Sequence, residues 1–339
     1  MIARLKHRIP AQRGRVLDRL IAWSAILLVL AIATFAAYYF FDQQGSGTAD
    51  QDVLKIKLDQ YEQVVRDDPN NVTNRLALGD AYYALERYED AVTQYEAALA
   101  ISDESTLGHL GLGRAKLGVG DFAGASESFQ KVIDQSKEAD IAGELVQSAY
   151  YYLGSIALEQ QESEEAIEHL KQATALEKSD SDAWYLLGSA YMQNGDLDEA
   201  ISALTRATLF VPDFAEAWQQ LALAYDEKGA TGEALYARGM IAYSEGELER
   251  AAELLQDAIS ASPTLAEAYA GLGLVREMQG QRDSAMAAYQ QALHLKPDNF
   301  NASSGLARLS QPESEASPVL PAGHPGGQNS ESSEQGVAP

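Results

Sequence analysis

The sequence predicts an all-α fold: an N-terminal transmembrane helix followed by a solenoid of antiparallel helix hairpins. Three observations carry that prediction. Leu20 to Phe41 form a run of 22 uncharged residues behind a short basic segment. From residue 52 onward, apolar residues recur at i, i+3, i+4 and i+7, the spacing of one helix face. A small residue also recurs at Gly79, Gly113, Gly154, Gly188, Ala222, Gly239 and Gly273, at intervals of 34, 41, 34, 34, 17 and 34 residues. A unit of that length holds two helices and a turn. It cannot bury its apolar stripe alone, so the units must stack.

The N-terminal element comes first. Residues 1–19 carry six basic residues (Arg4, Lys6, Arg8, Arg13, Arg15 and Arg19) against Asp18. A helix over residues 20–41 spans about 33 Å, enough to cross a bilayer core. Trp23 sits near one end and Tyr38 to Phe41 near the other, as interfacial aromatics do. The positive-inside rule puts residues 1–19 in the cytosol and the chain after Phe41 outside it. The competing reading is a cleaved signal peptide, whose apolar core is normally about 7–15 residues. The small residues Ala33 and Ala36 are followed by AYYFF, a poor mature N-terminus. The expected location is therefore the inner membrane, single-pass, with the repeats extracytoplasmic and residues 42–51 as a linker.

The formal net charge of −25 with no cysteine narrows the chemistry. Disulfides, thiolate zinc sites and a cysteine nucleophile are excluded. An acidic body repels phosphate backbones, which argues against nucleic-acid binding. His7, His109, His169, His294 and His324 show no paired spacing, and no HExxH, Walker, GxSxG or EF-hand pattern occurs. The acidic pairs Glu164–Glu165 and Asp198–Glu199 open helices, where they cap and suit the helix dipole better than they make a catalytic dyad. No catalysis, metal, cofactor or small-molecule substrate is expected.

The best copy of the repeat is AWYLLGSAYMQNGDLDEAISALTRATLFVP, residues 183–212. Trp184, Leu187, Gly188, Tyr191, Ala200, Leu204, Ala207 and Pro212 fall at repeat positions 4, 7, 8, 11, 20, 24, 27 and 32. A small residue at position 8, and another at position 20 (Ala91, Ala125, Ala166, Ala200, Ala251, Ala285), let the two helices approach closely. Gly120, Gly195, Gly229, Gly246 and Gly280 stand at position 15, where the chain turns and a left-handed residue is often needed. Pro212, Pro263 and Pro297 end second helices.

This pattern closely resembles the tetratricopeptide repeat (TPR) family over about residues 52–309. It divides the chain into a half repeat at 52–69, repeats near 72–105, 106–139, 147–180 and 181–214, a truncated repeat at 215–231, repeats at 232–265 and 266–299, and a closing helix at 300–309. The half repeat places Tyr61, Val64 and Pro69 at positions 24, 27 and 32, as a lone second helix. The interval of 41 adds seven residues, about two helical turns, and predicts one extended first helix over 138–161. Residues 310–339, rich in Pro, Gly, Ser, Gln and Glu, form a disordered tail.

The resemblance implies a bacterial membrane-anchored scaffold whose first helices line a groove for protein or peptide partners, chiefly through positions 2, 5, 9, 12 and 13. In this sequence those positions include Tyr83, Leu110, Arg114, Leu117, Tyr151, Leu158, Tyr185 and Met192, with Tyr152 bordering Tyr151. Arg114 is the only basic residue among them, which argues against the carboxylate clamp found in some TPR proteins. Tyr82, Tyr191 and Tyr225 at position 11, and Trp184 and Trp218 at position 4, are read as packing residues. Two other classes stay open: a docking subunit of an enzyme complex, and a homo-oligomer whose groove a neighbouring copy fills.

GEALYARGMIAYSEG, residues 232–246, breaks the period. Read forward it is a second helix with Arg238 at an apolar position. Read backward it is a first helix, with Gly239 at position 8 and Gly246 at position 15. The second frame fits better, so two first helices follow one another and one helix has dropped out. Because hairpins alternate in space, the inner and outer faces should exchange after this point. The groove is therefore expected on residues 72–228 and not at Tyr236, Met240 or Tyr243.

Overall fold

The computed structural model describes residues 55–138 and 143–310. They form fifteen α-helices and no strand. In chain order these are α1 (55–67), α2 (Val72–Ala84), α3 (Tyr88–Leu99), α4 (Thr106–Gly118), α5 (Phe122–Glu138), α6 (Gly143–Glu159), α7 (Ser163–Leu176) and α8 (Ser181–Asn194). They continue with α9 (Leu197–Phe210), α10 (Ala215–Glu227), α11 (Thr231–Ser244), α12 (Leu248–Ala261), α13 (Ala266–Met278), α14 (Arg282–Leu295) and α15 (Phe300–Leu309). The architecture is an α-solenoid of hairpins. No helix among the described residues is long and apolar enough to cross a membrane. The segment Leu20–Phe41, the linker 42–51 and the tail beyond Ser310 lie outside the described residues. The chain divides into two compact units, residues 1–111 and 112–339.

Within each hairpin the same close approach recurs. A Cβ added at Gly79, Gly113, Gly154, Gly188, Gly239 or Gly273 would lie 2.5–2.8 Å from Tyr95, Phe129, Leu170, Leu204, Leu255 or Tyr289 respectively. Each pair joins position 8 of a first helix to position 24 of the second. The loop before the first helix is fastened at position 4. Arg75, His109, Trp184 and Trp218 each donate a side-chain N–H to a carbonyl six residues earlier, those of Pro69, Asp103, Lys178 and Pro212. Asn71, Asp180 and Asn299 cap α2, α8 and α15 by accepting the N–H of Asn74, Ala183 and Ala302. The acidic pairs lie in the first turns of α7 and α9, but the residues at those N-caps, Glu162 and Asp196, make no side-chain capping bond, so the pairs act through the dipole alone.

In the first unit, α1 is a lone second helix whose packing departs from its register. Tyr61 and Val64, at positions 24 and 27, are 37% and 44% exposed, whereas Leu58 and Val65 are buried. Positions 24 and 27 face the first helix of their own hairpin, and no described helix supplies one. α1 is held instead by Leu58 and Val65 and by the Tyr82 hydroxyl, which donates to Glu62 at 3.0 Å.

In the second unit, the expected extended first helix over 138–161 runs through residues 139–142, which lie outside the described residues. α5 runs three residues past the register end of α9, and α6 starts four before the register start of α8. Over the described residues, both helices are longer than their register counterparts. The row of helices that touch each other identifies the inner, closely spaced side of the stack. α6 contacts α8, and α8 contacts α10, while α7 and α9 do not meet. Beyond the short repeat, α11 contacts α13 and α13 contacts α15, while α12 and α14 do not meet. α11 pairs with α10 as a second helix and with α12 as a first helix. The inner row thus passes from even-numbered to odd-numbered helices at α10–α11.

Candidate functional site

Three parallel first helices, α6, α8 and α10, present their inner side as one continuous face. Register sets its layout. Position 2 lies at the start of α8 and α10 and one turn further into the longer α6, positions 5 and 9 lie in the middle, and positions 12 and 13 at the end. The middle row mixes apolar and polar side chains: Tyr151 and Tyr185 are half-buried and Leu223 is 54% exposed, beside Ser155, Ser189 and Gln219, while Leu158 and Met192 stand half-buried at position 12. The two edges of the face carry exposed carboxylates: Asp182 and Glu216 at position 2, and Glu159, Asp226 and Glu227 at positions 12 and 13. Asp226 is engaged by Arg238 of α11.

The sequence-predicted residues divide between this face and the packing. Tyr151 lies on the face, where burial first, and then Asp182 and Asp180, push its phenol well above the ordinary range. Asp180 itself accepts a hydrogen bond from Gln147 at 2.6 Å. Leu158 borders the buried cluster of Ala157, Leu170 and Leu187. Tyr185 is on the face but leans on Phe214, with ring centroids 5.1 Å apart, and so also supports the core. Tyr152 is a packing residue. It stacks on Phe129 at 4.9 Å and 11°, because position 6 faces position 24 of the preceding hairpin. Arg114 and Leu117 begin the second unit, both half-buried. Tyr83, edge-on to Tyr88 at 5.5 Å, and half-buried Leu110 belong to the first unit.

Sequence reading missed Leu223. Its signal was present, since the register of Ala222 puts it at position 9, a groove position that requires no apolar residue for packing. Reading α11 as lying off this face agrees with its packing. Tyr236 is edge-on to Trp218 at 5.4 Å, Met240 is buried with it, and Tyr243 packs against the same cluster. Among the described residues, no three His, Asp or Glu side chains gather as metal ligands would.

Comparison with known proteins gives consistent matches. A family model described as tetratricopeptide repeat matches residues 110–176, 153–213, 213–267 and 236–300. A second, described as TPR repeat, matches residues 79–120. No curated protein matches. Among solved structures, the chain is similar to YrrB, described as a TPR protein with an unusual peptide-binding site, at 16% identity over 72% of this chain and 96% of that one, with a TM-score of 0.39. It is similar to the C-terminal part of a TPR repeat-containing protein from Cytophaga hutchinsonii at 17% identity, covering 76% of this chain and 96% of that one, with a TM-score of 0.49. It is 30% identical to MamA over 55% of this chain and 95% of that one, with a TM-score of 0.32.

Proposed function

Because the chain belongs to the tetratricopeptide repeat family, whose members bind protein or peptide partners, we propose that it is a membrane-anchored, extracytoplasmic scaffold. It holds a segment of a partner protein on the inner face of α6, α8 and α10. The observation that carries this reading is Leu223, an apolar side chain that stands 54% exposed on the inner helix α10. An exposed apolar side chain on the inner side of such a stack is a usual anchor point for a peptide. The anchoring half of the proposal rests on the uncharged run Leu20–Phe41 and the basic residues before it.

Two experiments test these halves separately. Affinity purification of the intact chain from membranes should recover partner protein. Leu223→Asp should cut that recovery about tenfold, the scale of a hot-spot residue, with helicity unchanged. Leu176→Asp, at an equally exposed position on the outer helix α7, should leave it intact. Equal recovery from wild type and L223D would remove the face from the account. For the anchor, a reporter active only outside the cytosol should work when fused after Ser310, and activity of a cytosolic reporter there would reverse the topology.

A further inference from the structure

Fifteen positions make up the α6–α8–α10 face, counting 2, 5, 9, 12 and 13 of each helix, and five of them are carboxylates while none is basic. The bias is stronger still over whole helices: α6, α8 and α10 contain no Lys, Arg or His at all. The chain's acidity alone does not produce this, because the outer helices α7 and α9 carry Lys171 and Arg206. Asp226 is answered by Arg238. Glu159, Glu216 and Glu227 are exposed and have no ion-pair partner among the described residues. Apolar side chains on all three helices thus stand among carboxylates with no basic residue between them.

We propose that the occupant of this face is a cationic segment, a stretch of partner protein with Lys or Arg on both sides of an apolar anchor residue. The inference rests on the proposed groove and specifies its ligand. Docking an apolar anchor beside Leu223 removes water from the neighbouring carboxylates of α10. An acidic segment would then press carboxylate against carboxylate, and a neutral one would leave Glu159, Glu216 and Glu227 without partners. A cationic segment satisfies both edges and is drawn in by the field of the whole acidic chain. A second copy of this chain, with its formal charge of −25, is repelled by the same field.

Panning a random peptide library against the purified full-length chain tests this. Selected peptides should hold Lys and Arg over Asp and Glu by about threefold per position, the size expected of exposed ion pairs, and the excess should shrink at raised salt. The variant with Glu159→Gln, Asp182→Asn, Glu216→Gln and Glu227→Gln should lose the excess yet still select apolar residues. A wild-type pool with no basic excess, or an excess that survives in the quadruple variant, overturns the cationic assignment and leaves the groove standing. A pool that L223D selects as well as wild type overturns the groove itself.

Discussion

Position 15 of the repeat shows how one residue's backbone state fixes a turn. Gly120, Gly195, Gly229, Gly246 and Gly280 take φ between +69° and +86° there. Glu86 and Gln161 occupy the same position with φ of +56° and +63°. A non-glycine side chain in the left-handed region costs about 1–2 kcal/mol. Gln161→Gly should therefore raise stability by about 1 kcal/mol, and Gly195→Gln should lower it by a similar amount, both read from urea midpoints. The five glycines were legible as turn residues in the sequence. Glu86 and Gln161 were not, because neither side chain signals a left-handed backbone and the stacked hairpins impose it. Tyrosines give a second prediction at this scale. Burial holds the phenols of Tyr151, Tyr236 and Tyr289 above their ordinary value of 10.0. Above that pH the unfolded chain loses phenolic protons that the folded chain keeps. Stability should be unaffected by these groups below pH 10 and fall above it, by about 1.4 kcal/mol per pH unit for each phenol still held neutral. Replacing the three tyrosines by Phe should remove the part of the phenolate absorbance that appears together with helix loss.

Helices are positioned by contacts between fixed repeat positions, and those contacts were largely readable in advance. Small residues at position 8 pointed to a close approach, and each glycine there does lie under the position-24 side chain of its partner helix. Gly188→Val should cost about 2–3 kcal/mol by overpacking Leu204, whereas Gly143→Val, with nothing within 4 Å of an added Cβ, should be nearly neutral. Chemical denaturation of the two variants separates them. The seven-residue insertion was located by the period, and both helices beside it are lengthened over the described residues. Adding three residues to one helix and four to the next shifts each by about one turn. The apolar stripe stays in phase under either division, so periodicity cannot distinguish one long helix from two slightly longer ones. Tyr152, expected to border the groove, also takes a packing role. It neighbours Tyr151 in sequence, but one step of about 100° round the helix moves it from the inner face to the contact with Phe129.

At the scale of the second unit, the repeat period alone announced the interruption at α11, and the packing shows its consequence. A regular array keeps first helices on one side throughout. Here α10 and α11 are first helices by sequence and partners in one hairpin by contact, so the side whose helices touch changes from α6–α8–α10 to α11–α13–α15. Arg238 marks the join. It stands where a second helix would place an apolar residue and pairs with Asp226 of α10. A face that changes sides cannot present one uninterrupted groove, so a segment bound on α6, α8 and α10 ends at α10. Hydrogen exchange on the complex with a library-selected peptide should therefore show slowed amides in α6, α8 and α10 and unchanged rates in α13 and α15. In a quasi-one-dimensional array, stabilisation passes only to neighbouring elements, so α7 and α9 should be protected secondarily and α11 least among the helices that touch α10. Slowing that continued undiminished through α13 would mean that the inner face carries on past Gly229, and the groove would then have to be redrawn to include Tyr236 and Met240.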